Sequence, residues 1–136
     1  VKKQQAASHQ VGVWIDHREA FLVFRDEPVT KGNTVVSGIE KHVRYSGHAT
    51  AAEGLAEDQR DRRFEHHLER YYDDVIAQLQ HATSIFIFGP GEAKDEFRRR
   101  LEHKHLGTCI AGFETADKLT NPQRVAKVQL FFQHRV

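Results

Sequence analysis

The sequence predicts an α/β sandwich, with a mixed sheet of about five strands that opens as an antiparallel meander and about three helices. Three observations carry this expectation. Short apolar runs near the N-terminus alternate as strands do, a middle stretch repeats apolar residues at helical spacing, and the second half switches from strand to helix to strand and back to helix.

The first strands come from "VGVWIDHREAFLVFR". Val11, Val13 and Ile15 alternate, the pattern breaks at Asp16 to Arg18, and it resumes with Phe21, Leu22, Val23 and Phe24, which reads as a tight hairpin. "DEPVTKGN" has turn chemistry in Pro28 and Gly32, and "TVVSGIEKHV" supplies a third strand through Val35, Ile39 and Val43. From Arg44 to Gln59 no apolar period is sustained, and a connection of that length inside a small domain points to function or disorder.

Phe64, Leu68, Tyr71, Tyr72, Val75, Ile76 and Leu79 then recur at the spacing of a long helix that buries one stripe. "SIFIFG" is a continuous apolar run, as expected of a strand covered on both faces. A helix from Glu92 to His105 follows, anchored by Ala93, Phe97 and Leu101 and ended by Gly107, and after it comes the strand "TCIAGFET". The order strand, helix, strand implies a parallel pair with a right-handed crossover. "TNPQRVAKVQLFF" closes the chain as a helix with Asn121 as cap, Pro122 at its first position, and Val125, Val128 and Phe132 on one face.

Composition bounds the rest. At 136 residues, the sequence suits residues 1–10 as a loose tail and 11–136 as one domain. Hydrophobic residues make up 39% and charged residues 29%, an ordinary balance with no low-complexity tract. The net charge of +1, with ten histidines, does not advertise nucleic-acid binding, so any RNA contact rests on a local patch. A single cysteine, Cys109, excludes an internal disulfide and a cysteine-based zinc site. No stretch suits a membrane span and the polar start does not suit a signal peptide, so a reducing cytoplasm is the expected compartment.

The glycine turn "GPGEAKDE" invites a phosphate-binding reading. It lacks the Walker spacing and hydroxyl, the sixth position of a dinucleotide fingerprint is Lys94, and Pro90 removes a donor amide. The better expectation is a tight strand-to-helix turn with Glu92 near the helix start.

Taken together, "VGVWIDHREAFLV", "RDRRFEHHLERYYDDVIAQL", "SIFIFGPGEAKDEFRRRLE" and "GTCIAGFETAD" make the chain resemble the central domain of eukaryotic and archaeal class 1 peptide release factors and of Pelota. The likeness spans Val11 to Asp117, and its family turn motif is Gly89, Pro90, Gly91 and Lys94. It implies a ribonuclease H-like three-layer sandwich of the translational machinery component type, here expected as a stand-alone protein of bacterial type. In the release factors the loop before the long helix carries Gly-Gly-Gln, which helps water attack peptidyl-tRNA. This sequence contains no Gly-Gly-Gln, so the resemblance does not carry that hydrolysis over.

What remains is binding. Lys41, His42, Arg44, Tyr45 and His48 on one side of the connection, with Arg60, Arg62 and Arg63 on the other, offer a cationic rim and an aromatic ring for RNA. Arg98, Arg99, Arg100 and Lys104 form a second basic face, more simply read as solvated. His66, His67 and Glu69 do not converge on a metal, because adjacent residues on a helix point about 100° apart. The expectation is a ribosome- or RNA-associated, translation-related factor that acts by binding, with ribosome, tRNA or rRNA as partner and no metal or cofactor.

Two other readings stay open. One is an enzyme, either a metal-dependent nuclease built around Asp16, with Glu40, Asp73 and Asp74 available, or a hydrolase of peptidyl or aminoacyl esters using Gly47 and His48. The other is a protein-binding homo-oligomer formed through a sheet edge.

Overall fold

The computed structural model describes residues 9–25, 30–38 and 53–133. Five strands and three α-helices form a mixed α/β structure: β1 (Gln10–Ile15), β2 (Glu19–Arg25), β3 (Thr30–Val36), α1 (Glu53–Ala77), β4 (Ser84–Gly89), α2 (Ala93–His103), β5 (Ile110–Thr115) and α3 (Asn121–Gln133). The sheet order is β3-β2-β1-β4-β5. β1, β2 and β3 pair antiparallel, whereas β4 pairs parallel with both β1 and β5. The early meander and the later parallel pair therefore share one sheet, with β1 joining them.

Alternation along β1 and β4 fills two separate cores. Val11, Val13 and Ile15, with Ile85 and Ile87, face α1 and α2, where Leu68, Tyr72, Val75, Phe97 and Leu101 complete one apolar cluster. Trp14, Phe86 and Phe88 face the other way, against Val128 and Phe132 of α3. The result is three layers, with two helices on one face and one on the other. Each fully buried aliphatic or aromatic side chain stabilises this arrangement by roughly 1.5–3 kcal/mol.

Close approach is built in at Gly12, where an added Cβ would lie 2.2 Å from Val128 Cγ2, so α3 rests directly on β1. Phe131 stacks on Phe86 with ring centroids 4.0 Å apart and rings within 3° of parallel.

Several boundaries differ from those the sequence suggests. β3 starts at Thr30 and ends at Val36, so part of the expected turn, Thr30 to Asn33, is strand. Pairing with β2 from Arg25 to Glu19 compensates for the weak strand propensity of "TKGN". Ile39 and Val43 lie outside the described residues. α1 begins at Glu53, inside the stretch expected to be loop, because Glu, Leu, Ala, Asp and Gln are compatible with a helix even without an apolar period.

α2 stops before Gly107. His105 adopts the left-handed conformation (φ 66), and its amide and that of Leu106 donate to the carbonyls of Glu102 and Leu101 at 3.0 and 2.9 Å. Gly107 instead opens a short 3-10 turn, Gly107–Cys109. The cap of α3 is Thr120 rather than Asn121. Thr120 Oγ1 accepts from the Gln123 amide at 3.3 Å, and Gln123 Oε1 accepts from the Thr120 amide at 2.9 Å, a reciprocal capping box. Arg124, Val128 and Phe132 are the buried residues of that helix, and Val125 is only partly buried.

Candidate nucleic-acid interface

The Gly89-Pro90-Gly91 turn connects the centre of the sheet to α2. Gly89 has φ 152, and a Cβ there would lie 2.3 Å from the carbonyl oxygen of Ile15, so the end of β4 passes β1 with no space for a side chain. Gly91 takes φ 64 and turns the chain into the helix. Lys94 is buried. Its Nζ donates to the Gly91 carbonyl at 2.5 Å and lies 3.8 Å from the Asp95 carboxylate and 5.9 Å from the centroid of Phe113. This lysine ties the turn to the helix it starts, and its ammonium is committed inside the protein.

Of the cations expected to meet RNA, Lys41, His42, Arg44, Tyr45 and His48 lie outside the described residues. Arg60 is on the helical backbone of α1, but its side chain also lies outside the description. Arg62 and Arg63 are both exposed on α1 and form no ion pair with another described residue. The first buried side chain described along that helix is Leu68. α1 has 25 residues, about 37 Å at 1.5 Å per residue, so these arginines sit on a stretch that precedes its packed section.

Most of the second basic face is absorbed by the fold. Arg98 lies over Phe113 at 4.5 Å. Arg100 donates from Nε and Nη2 to the two carboxylate oxygens of Asp73, each at 2.8 Å, and Lys104 stands 3.9 Å from the same group. The Arg100 hydrogen bond holds the Asp73 carboxyl below the usual carboxylate range. Arg99 remains exposed, facing a groove of about 590 Å³ between α1 and α2 whose floor includes Leu68 and Tyr72.

The chain leaves β3 at Ser37, where it is clamped to both the first hairpin and α1. The Ser37 amide donates to the Arg18 carbonyl at 2.8 Å, its Oγ donates to the His17 carbonyl at 2.7 Å, and its own carbonyl is bonded by His67 Nε2. Tyr71 donates to the Asp16 carbonyl at 2.9 Å, and burial pushes its hydroxyl pKa up; Tyr72 is raised likewise by burial and then by its bond to Glu96. The connection that follows Ser37 thus starts from a fixed point against the middle of α1.

Asp16 and Asp73, two of the carboxylates offered for metal chemistry, are engaged elsewhere, whereas Asp74 is exposed on α1. Asp16 Oδ1 accepts the Arg18 and Glu19 amides at 2.8 and 2.9 Å, which fixes the hairpin turn. Asp73 is paired with Arg100, and Glu40 lies outside the described residues. His67 holds Ser37, and His66 lies 3.7 Å from Glu69 on the helix surface. Among the described residues no three His, Cys, Asp or Glu side chains gather as a metal site.

Two functional-looking groups escape the sequence patterns: His17 and Glu96, which meet across 79 positions. The available signal is the polar triplet "DHR" directly after a fully apolar strand. Arg124 is a third case, buried beneath an apparently polar helix start, with its guanidinium carbon 3.7 Å from the Trp14 ring centroid and Nη2 3.0 Å from Glu19.

No protein-family model and no curated protein sequence matches the chain. Among solved structures it is similar to the Pelota protein of Thermoplasma acidophilum, with 19% identity and a TM-score of 0.49 over 91% of this chain and 38% of that one. It is also similar to the archaeal translation termination factor aRF1, with 13% identity and a TM-score of 0.45 over 91% of this chain and 37% of that one. The chain spans less than two fifths of the length of either protein, and at these identities the likeness is one of fold.

Proposed function

We propose that this protein is a translation-related factor of the cytoplasm that binds ribosomal or transfer RNA through the connection before α1 and the first turns of that helix. The observation that carries the reading is the contrast between two basic faces. On α2 Arg98 lies over Phe113, Arg100 is bound to Asp73 and Arg99 faces the groove toward α1, whereas Arg62 and Arg63 on α1 stand exposed with no ion-pair partner among the described residues. Phosphate contacts need cations of the second kind, since an arginine already bridged to a carboxylate must give up that bond. The resemblance of Val11 to Asp117 to release-factor and Pelota central domains supports the same reading. So does the buried Lys94, which leaves the glycine turn no free cation of its own on that helix turn.

Cosedimentation with ribosomes and filter binding to tRNA test the proposal. The triple variant R60A/R62A/R63A should bind more weakly than the parent. Its plot of log K against log salt should be shallower by roughly two to three units if all three side chains meet phosphates. Undiminished binding by that variant would overturn the proposed surface.

A further inference from the structure

We infer that the outer edge of β5 receives an extended acidic peptide of a partner protein as an added strand, with Arg98 holding a carboxylate of that peptide. β5 ends the sheet order and pairs on one side only, with β4. An edge of this kind takes up further strands because it leaves backbone N–H and C=O groups unpaired.

One bond gives the direction of those groups. The Ala116 amide donates to the Gly89 carbonyl at the end of β4, at 2.9 Å. Backbone groups of successive strand residues point to opposite sides, so Glu114 also turns its amide and carbonyl toward β4, and Phe113 and Thr115 turn theirs outward. A register shift between Ile85 and Phe86 leaves Ala111 out of the pairing, which confines the regular edge to residues 112–115. The opposite edge of the sheet differs: β3 carries Lys31 and exposes residues 31–34, which discourages another strand. From Ile110 to Phe113 the β5 edge is uncharged and half-buried.

The central observation is Arg98. Its guanidinium carbon lies 4.5 Å from the ring centroid of Phe113, the outward-turned residue. Its Nε is buried without an acceptor, its Nη nitrogens reach solvent, and it makes no hydrogen bond or ion pair with a described residue. Asp95 lies 3.8 Å from Lys94 Nζ and Glu114 lies 3.0 Å from Lys127 Nζ, while Glu102, exposed one turn further along α2, forms no pair with Arg98. In an antiparallel strand laid beside β5, the residue opposite Phe113 exchanges two backbone bonds with it and projects its side chain on the same face. A carboxylate there meets a guanidinium already ordered on a ring, so little side-chain freedom is lost in pairing.

Charge complementarity selects the occupant. A second copy that paired β5 with β5 about a two-fold axis would keep like faces together and bring one unpaired Arg98 toward its counterpart. A phosphate satisfies the guanidinium but leaves the Phe113 and Thr115 carbonyls without donors, whereas a strand supplies donors and acceptors together.

The test is NMR of the isotope-labelled 136-residue chain, titrated in turn with acetyl-TVEVT-amide and its TVQVT and TVKVT counterparts, reading the Phe113 and Thr115 amides. TVEVT should shift both amides and saturate, TVQVT should bind about tenfold more weakly, and TVKVT more weakly still. R98Q should erase the preference for TVEVT over TVQVT, and R62A/R63A should leave it unchanged. N-methylation of the central peptide amide, which faces β5, should abolish binding, whereas N-methylation of the next residue, which faces away, should not. That pair of peptides needs no protein variant, so it stays decisive even if R98Q is destabilised. Absence of shifts at the two amides, equal binding of TVEVT and TVQVT, or equal effects of the two N-methylations would overturn the proposal. Concentration-dependent shifts of the same amides without peptide would place a second copy on the edge and overturn it as well.

Discussion

Replacing Gly89 with alanine should be among the most damaging small changes in the molecule. The new Cβ would lie 2.3 Å from the Ile15 carbonyl oxygen, a contact with backbone that no side-chain rotation relieves. The φ of 152 adds a conformation that L-residues rarely adopt. Backbone strain of about 1–3 kcal/mol and overpacking of about 1–3 kcal/mol together give a loss of roughly 2–6 kcal/mol, against a typical total stability of about 5–15 kcal/mol. Gly91→Ala is the internal control. Its φ is 64 and no atom lies within 4 Å of the added Cβ, so about 1–2 kcal/mol is expected from conformation alone. Urea unfolding followed by the fluorescence of Trp14, the single tryptophan, reads both variants. G89A should lower the midpoint well below that of G91A with an unchanged slope. Equal midpoints for the two would refute the argument that β1 and β4 close on each other at this point.

Arg124→Ala should cost about 2–4 kcal/mol in the same assay, through lost stacking on Trp14 and lost packing beneath α3, and R124K should recover less than half, because an ammonium cannot lie flat on the indole. Tyr71 and Tyr72 should stay silent in a spectrophotometric alkaline titration until the protein unfolds. Their folded pKa values lie above the unfolded ones, so their contribution is complete below about pH 10 and is lost as pH rises beyond it; Y71F/Y72F should flatten that alkaline fall in stability.

Much of the architecture was legible because it is local. Periodicity placed β1 and the packed section of α1, since side-chain direction repeats every two residues in a strand and about every 3.6 in a helix, and short apolar runs placed β2, β4 and β5. "SIFIFG" was readable as doubly covered, and Ile85, Phe86, Ile87 and Phe88 are all fully buried. The expected three-layer α/β sandwich with a meander first is the fold observed. The failures are local signals overruled by partners. "TKGN" is strand because β2 is beside it, and α2 ends at His103, closed through the left-handed His105, because the Leu106 amide can reach the Leu101 carbonyl.

The candidate sites divide the same way. The residue types in "GPGEAK" and "DHR" belong to the sequence, but their meaning depends on what faces them. Lys94 is only a position in the turn motif until the fold places its ammonium on Gly91, and Asp16 fits a metal site or a hairpin turn until the turn amides of Arg18 and Glu19 are seen on its Oδ1.

By itself, then, the sequence determined the order of strands and helices, though not several of their ends, and which charges exist. The tertiary structure decided which of those charges are spent and which remain available. The physical reason is separation along the chain. Trp14 meets the carbonyl of Asp117 across 103 positions and Arg25 meets Gln129 across 104, and contacts at that range leave no period or spacing to read.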